Sequence, residues 1–552
     1  MAEDILDVAV IGGGVSGVYT AWRLLTEGHK RKVAVYEASS EVGGRLLSVV
    51  PPEIPFMTAE LGGMRILPAV QPRINALIYY LNKSAPPGGK IELYDFPVDQ
   101  PQNIAYLRGI YLRLQDFTTD PEKVPYDLSF QEFGKTPTDI VLYALDQIVP
   151  GITDKGLSEE QRQEMCRNAE FAGKPLWQQG FWQVLMRVIS GEAYQLALAA
   201  GGYDTTLSNW NAADAIPWFL SDFGVSAKYQ GFQKGFQQVP LTIQERFERA
   251  KGDVCCNAPA TGFVWDAKAK LVEISFKHQK SVRAKALILA MPRRALELIK
   301  PNSPVLEAAA GLIASVTPRP LFKLFTTYLT PWWIPAGVKA GRTTTDLPVR
   351  QTYYWPTDKG AAVTNGRAML MASYDDGNNI GFWDGFRRKR GIGWRDIKQT
   401  IIEPEYFVGA VDRQAEVDKE NAELTRRWRA YRAPEGMVEE VQRQVQLIHG
   451  LSFSPTVQNA AFKDWGDDPF GGGWNSWNIG VQSRDVKEKI IQPDVGLPVY
   501  ICGEAYSDAQ GWVEGALQTA DMVLAKFGLK PLPPPPPTPK PKPKSGRPPN
   551  KS

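Results

Sequence analysis

Residues 7–12 open the chain with a short apolar run, Val8-Ala9-Val10-Ile11, closed by Gly12-Gly13-Gly14. A run of that length, bounded by glycine, predicts a buried strand. Residues 16–27 have helical spacing, and Lys32-Val33-Ala34-Val35-Tyr36-Glu37 predicts a second strand, so the first forty or so residues form a βαβ unit. The pattern changes from about 120 to 228. There Gln, Glu, Leu and Ala recur at helical spacing, notably over 158–172 and 179–199, which predicts a largely helical insert. Strand patterns return at 254–265, 271–277 and 286–290, then at 320–329 and across 350–374. A charged, helical pattern runs from 394 to 450. A last strand at 499–502 leads through Gly503-Glu504 to a helix beginning near Gly511. No internal repeat is visible.

Composition alters this picture only at the C-terminus. The chain has 552 residues, 43% hydrophobic and 22% charged, which suits two or three globular domains. Its net charge of +3 is misleading, because residues 530–552 hold six Lys and Arg and no acid, leaving the remainder at −3. No electrostatic case for nucleic acid binding follows. The proline- and lysine-rich stretch after Gly528 cannot bury a core and is expected to be a disordered, polyproline-like tail. Cys166, Cys255, Cys256 and Cys502 form no C-x-x-C pair, so neither a zinc site nor a disulfide framework is expected. With no secretory pattern at the N-terminus and no membrane-length apolar run, a soluble, cytoplasmic protein is expected.

The glycine turn carries the first chemistry. Gly12 permits a tight turn after the strand, Gly14 lets backbone approach a pyrophosphate, and Gly17 allows close packing of helix on strand. The helix start at Val15 and Ser16 offers unpaired N–H groups to phosphate. Glu37 lies 20 residues beyond Gly17, at the end of the second strand, where a carboxylate can accept ribose hydroxyls. A dinucleotide site follows from this combination.

The stretch Glu37-Ala38-Ser39-Ser40-Glu41-Val42-Gly43-Gly44-Arg45 resembles the second nucleotide motif of the flavin amine oxidase superfamily, with Glu41 where that family often has Arg. Further landmarks recur in order: Asn257-Ala258-Pro259-Ala260, residues 286–292, and Tyr500 to Glu504 followed by Gln510-Gly511-Trp512-Val513-Glu514-Gly515-Ala516. The resemblance covers residues 5–528. It implies FAD as cofactor, with Arg45, Glu504 and the helix start at Val513 beside it. It also assigns Ala38, Gly44, Gly62, Gly63, Met64, Ala260, Trp465 and Gly503 to the cofactor site. The implied fold is α/β: a Rossmann-like FAD-binding domain (1–70, 229–319, 455–528), a mixed-sheet substrate domain (71–115, 320–454), a helical domain (116–228), and the tail (529–552).

Within that superfamily, Gly62-Gly63-Met64-Arg65-Ile66-Leu67-Pro68 is most similar to a segment of the L-amino acid oxidases whose arginine forks onto the substrate α-carboxylate. The resemblance further implies Tyr374 as a second carboxylate ligand, Gly511 as acceptor for the substrate amine through its carbonyl, Trp512 as an aromatic wall, and Lys323 as holder of a water near flavin N5. Tyr353 and Tyr354 are read as structural. Trp474 and Trp477 fit a side-chain pocket and core packing equally, and no acid can be placed there to recruit a basic side chain. The implied reaction is hydride transfer from Cα to flavin N5, giving a 2-oxo acid, ammonia and hydrogen peroxide from an L-amino acid and oxygen. None of His29, His278 and His449 lies in a motif, which suits a mechanism without a histidine base. Oxidative decarboxylation to an amide, amine or polyamine oxidation, a flavin-binding interaction role for the tail, and a homodimer all stay open.

Overall fold

The computed structural model describes residues 5–27, 31–224, 228–387, 422–467 and 472–536. The predicted βαβ unit is present as Leu6–Ile11, Val15–Glu27 and Val33–Tyr36. Its strands sit in a seven-stranded sheet, where Leu6–Ile11 lies parallel between Val33–Tyr36 and Val282–Ala290. The nine-residue strand Val282–Ala290 serves two partners on one edge. Its first half pairs antiparallel with Leu271–Phe276 and its second half parallel with Val499–Cys502. The central strands are apolar on both faces because both are covered. One face packs under Val15–Glu27, Gln238–Arg249 and Val513–Lys526, through Val18, Leu24, Ile243 and Val523. The other carries Ala9, Ile11 and Leu289 into a separate core, which Leu296 of helix Arg293–Ile299 completes.

A second seven-stranded sheet runs in the order Asn459–Asp464, Phe322–Tyr328, Ala368–Asp375, Gln351–Tyr354, Gly341–Thr345, Ile104–Leu107, Ile110–Arg113. It is mixed, since Gly341–Thr345 pairs parallel with Ile104–Leu107 while its other neighbours are antiparallel. The pattern across 350–374 resolves into two strands. The strands at 104–113 and 341–345 were not anticipated. Helix Glu435–Ile448 covers this sheet with Met437, Val441 and Val445; residues 394–421 of the expected helical stretch lie outside the described residues, as do residues 537–552 of the tail.

The helical portion has a core of its own, built from Ile140, Leu145, Leu196 and Ile216. Its helices start where side chains can cap them. Thr136 accepts from Asp139 N–H, Ser158 and Gln161 form a capping box, and Asn211 accepts from Ala213 N–H. Two helices are shorter than predicted. The one over 158–172 ends at Asn168, before a tight hairpin of Glu170–Phe171 with Lys174–Pro175. The one over 179–199 breaks into Phe181–Leu185 and Gly191–Gly201, because Ser190 caps a new start through Ala193 N–H. Among the described residues no helix is long and apolar enough to cross a membrane.

Candidate functional site

One cavity of about 360 Å³ runs from the glycine turn to the junction of the second sheet with the helical portion. Every residue assigned from the sequence to the cofactor or catalytic site lines it except Gly17. Gly17 instead sits against backbone: a Cβ there would lie 1.9 Å from the Gly12 carbonyl oxygen, so helix and strand can approach this closely only at glycine. Gly12 has φ +108°, and its Cβ would meet the Ala290 carbonyl at 2.3 Å. By contrast a Cβ on Gly14 would meet only Gly44 at 3.9 Å, so the space in front of it belongs to the cavity.

Helix Val15–Glu27 points its N-terminus at that space, and its first N–H groups have no partner within the helix. Glu37 reaches across the turn. One carboxylate oxygen accepts from Gly13 N–H at 2.6 Å and the other from Ser39 N–H and Oγ at 2.8 Å. Glu504 is the junction of the middle section. It accepts from Arg45 at 2.7 Å, from the Asn475 amide and backbone at 3.0 and 2.9 Å, and from Gly511 N–H at 2.7 Å. Four donors from three segments saturate this buried acid, so it ties Arg45 and the Gly511 turn to the same wall. The cavity thus offers a glycine cradle, a helix N-terminus, a carboxylate that can accept from ribose hydroxyls and Arg45 in a row, the donors and acceptor that an adenine dinucleotide needs.

The far end has different chemistry. Arg65 is 5% exposed, and donates to the hydroxyls of Tyr353 at 3.2 Å and Tyr203 at 3.4 Å. Its guanidinium lies 3.9 Å from the centroid of the Tyr229 ring. Among the described residues it has no carboxylate ion-pair partner; Asp222 acts on it only through space. Lys323 and Tyr374 are cross-strand neighbours, with the Lys323 ammonium 4.8 Å from the Tyr374 ring centroid. Lys323 donates to the carbonyls of Gly62 and Glu60 at 2.5 and 3.2 Å. Burial pushes its pKa down, against the opposing charge of Glu60. Trp465 donates to the Leu61 carbonyl at 2.8 Å, so residues 60–62 are pinned from two sides.

Several wall residues escaped the sequence. Tyr203, Thr206, Trp218, Asp222 and Phe223 come from the helical portion, and Tyr353, read as structural, holds Arg65 from behind the cavity. Tyr203 and Thr206 lie in a loop and Asp222 and Phe223 at a helix end, while Trp218 within helix Ala212–Phe223 and Tyr353 within strand Gln351–Tyr354 have only the spacing of ordinary packing positions. The expectation that no acid faces this space is corrected: Asp222 and Asp376 both line it. Trp474 and Trp477 separate. Three positions apart on strand Trp474–Trp477, they point to opposite faces. Trp474 lines the cavity, stacked on Trp218 at 5.5 Å, while Trp477 is core and donates to the Ser507 carbonyl.

Residues 15–392 match the family described as flavin containing amine oxidoreductase. The chain is 26% identical to Aplysianin-A of Aplysia kurodai over 95% of its own length and 90% of that protein. It is 26% identical to an L-amino-acid oxidase of Sistrurus catenatus edwardsii over 72% of its length and 70% of that protein. A solved putrescine oxidase structure with putrescine bound has the same fold, with a TM-score of 0.62 at 18% identity, covering 95% of this chain and 98% of the other. The chain belongs to the flavin containing amine oxidoreductase family, and its cofactor is FAD.

Proposed function

We propose that this enzyme oxidatively deaminates L-amino acids. The observation that carries the reading is Arg65, a buried guanidinium on the cavity wall with phenols and ring faces but no carboxylate ion pair among the described residues. An unpaired buried charge is costly, and an anion completing the pair recovers that cost. A substrate α-carboxylate is such an anion; an amine has none. Arg65 forks onto the carboxylate, Tyr374 donates a second hydrogen bond, and the Gly511 carbonyl accepts from the amine. Trp512 packs against the substrate from the side. Held at these points, the Cα–H has one orientation, which contributes much of the rate.

FAD, when bound along residues 12–17, 37–45 and 503–513, supplies the two-electron chemistry, accepting hydride from Cα and returning electrons to oxygen as hydrogen peroxide. Lys323, anchored on the Gly62 and Glu60 carbonyls, holds a water beside it. Water then hydrolyses the imino acid to 2-oxo acid and ammonia, so one amino acid, one oxygen and one water give 2-oxo acid, ammonia and peroxide.

A second reading, amine oxidation, is favoured by Asp222 and Asp376, since acids in the cavity suit a cationic substrate. A peroxide-coupled screen of L-amino acids against putrescine and spermidine separates the two. Replacement of Arg65 by Ala is expected to raise KM for amino acids about 10- to 100-fold, the loss of a charge-assisted hydrogen bond. Unchanged kinetics, or oxidation of amines only, would leave amine oxidation as the reading.

A further inference from the structure

Between helix Gly191–Gly201 and the segment that leads to helix Ala212–Phe223, residues 202–206 form a loop that places Tyr203 and Thr206 on the cavity wall. Five residues at the ends of the second sheet grip it. Arg342 donates to the Gly201 carbonyl at 3.1 Å and Gln351 to that of Gly202 at 3.0 Å. Arg350 and Asn379 hold the Asp204 carboxylate at 2.9 and 2.8 Å. The fifth is Asp376, 2% exposed, which accepts from Asp204 N–H at 2.6 Å and from the Thr205 hydroxyl. The surfaces meet tightly, for a Cβ on Gly377 would lie 2.2 Å from Asp204 Cβ.

Among these anchors only Asp376 also lines the cavity. It stands two residues beyond Tyr374, and the loop it grips carries Tyr203. The Tyr203 hydroxyl accepts from Arg65, and its ring packs edge-on against Tyr374 at 5.3 Å. We propose that Asp376 is a positioning residue: by holding the 202–206 loop against the sheet end, it sets Tyr203 and through it the two groups, Arg65 and Tyr374, that receive the substrate carboxylate. This rests on the reading of Arg65 given above. A buried carboxylate keeps its place only while its donors stay bonded, so loop and wall act as one unit. Side chains of the helical portion thereby tune affinity at a site whose binding groups belong to other segments.

The test uses the FAD-loaded full chain. Benzoate, a carboxylate without an amine, is titrated while flavin absorbance is followed, and KM and kcat are measured with the amino acid that the wild type oxidises fastest. Asp376→Ala is expected to raise the benzoate Kd and the KM at least tenfold, with kcat within threefold and FAD content unchanged. Asp376→Asn falls between, since it keeps one acceptor oxygen. Thr205→Val removes one bond from the loop side and moves KM in the same direction by less. Wild-type Kd and KM in Asp376→Ala overturn the proposal, as does a parallel fall of kcat, FAD content and melting temperature. If Asp376→Ala does not fold, wild-type KM in both other variants overturns it. Failure of the wild type itself to bind benzoate or oxidise any amino acid is the failure of the substrate reading instead. With no carboxylate to receive, the positioning role then falls together with that reading.

Discussion

Lys323 is 1% exposed in a strand whose seven residues are all buried. Taking an ammonium out of water disfavours its charged form, and burial accordingly lowers its pKa, with Glu60 opposing. Two carbonyls from residues 60 and 62 compensate it and fix its position. Removing it should therefore affect chemistry more than cofactor retention. Lys323→Met is expected to keep FAD but slow flavin reduction or reoxidation on the order of a hundredfold, as for loss of one preorganised donor; stopped-flow measurement of both half-reactions checks this, and wild-type rates in both would end the water-holding role. Lys323 was visible in the sequence because a lone lysine in an apolar strand requires a reason. Tyr203, Tyr229 and Tyr353 were not, because a tyrosine in a loop or a sheet has many ordinary reasons to be there.

At the scale of elements, the helix starts predicted at 16, 158, 179 and near 511 lie within two residues of those at Val15, Glu159, Phe181 and Val513, because a start is set by a few neighbouring residues, whereas the further start at Gly191 was not anticipated. The glycine turn was readable for the same reason. It also predicts a sharp response: Gly17→Ala puts a methyl group into the Gly12 carbonyl and must push helix Val15–Glu27 off its strand. Overpacking of this kind costs about 1–3 kcal/mol. The variant is expected to purify with much reduced FAD, read from its visible absorbance, whereas Gly311→Ala, where a Cβ meets nothing within 4 Å, should retain the wild-type content. Strands were harder. Gly341–Thr345 is Gly-Arg-Thr-Thr-Thr, fully buried yet mostly polar, so no apolar alternation announces it. Part of its polar surface is satisfied across the sheet, as where the Thr343 hydroxyl meets that of Tyr354 at 2.6 Å, while the buried Thr344 hydroxyl finds no partner among the described residues. Only assembled neighbours make such a strand stable.

For the molecule as a whole, stability depends on buried polar groups that join separate segments. His449 is one: its Nδ1 lies 2.7 Å from the Val445 carbonyl and its Nε2 2.7 Å from the Tyr354 hydroxyl. Burial pushes its pKa down to about 4, from 6.5. The unfolded chain then binds a proton that the folded one does not, so this contribution is complete above about pH 6.5 and is lost as the pH falls towards 4. Wild-type melting temperature should accordingly drop more steeply than that of His449→Gln over this window, with the variant the less stable near pH 7; parallel curves would show that His449 does not stay neutral. The start of the tail belongs to the body as well. Arg23 donates to the Lys530 carbonyl, and Leu529 and Leu532 pack on the nucleotide-side core, so the disorder expected from residue 529 onward is not seen at these positions.

By itself the sequence determined a dinucleotide site, and the resemblance of its motifs to a known family made that dinucleotide FAD. Gly12 to Gly17, Glu37 and Gly43-Gly44-Arg45 lie within 34 residues, and a turn, a helix start and a ribose acceptor are short-range structures set by local sterics and hydrogen bonding. What surrounds Arg65 was decided only by the tertiary structure. Its phenol partners stand 138 and 288 positions away along the chain, and Asp222 and Asp376 reach the same cavity from a helix end and a strand end. A buried charge takes its character from whichever side chains folding brings to it, and no spacing along one segment encodes that meeting.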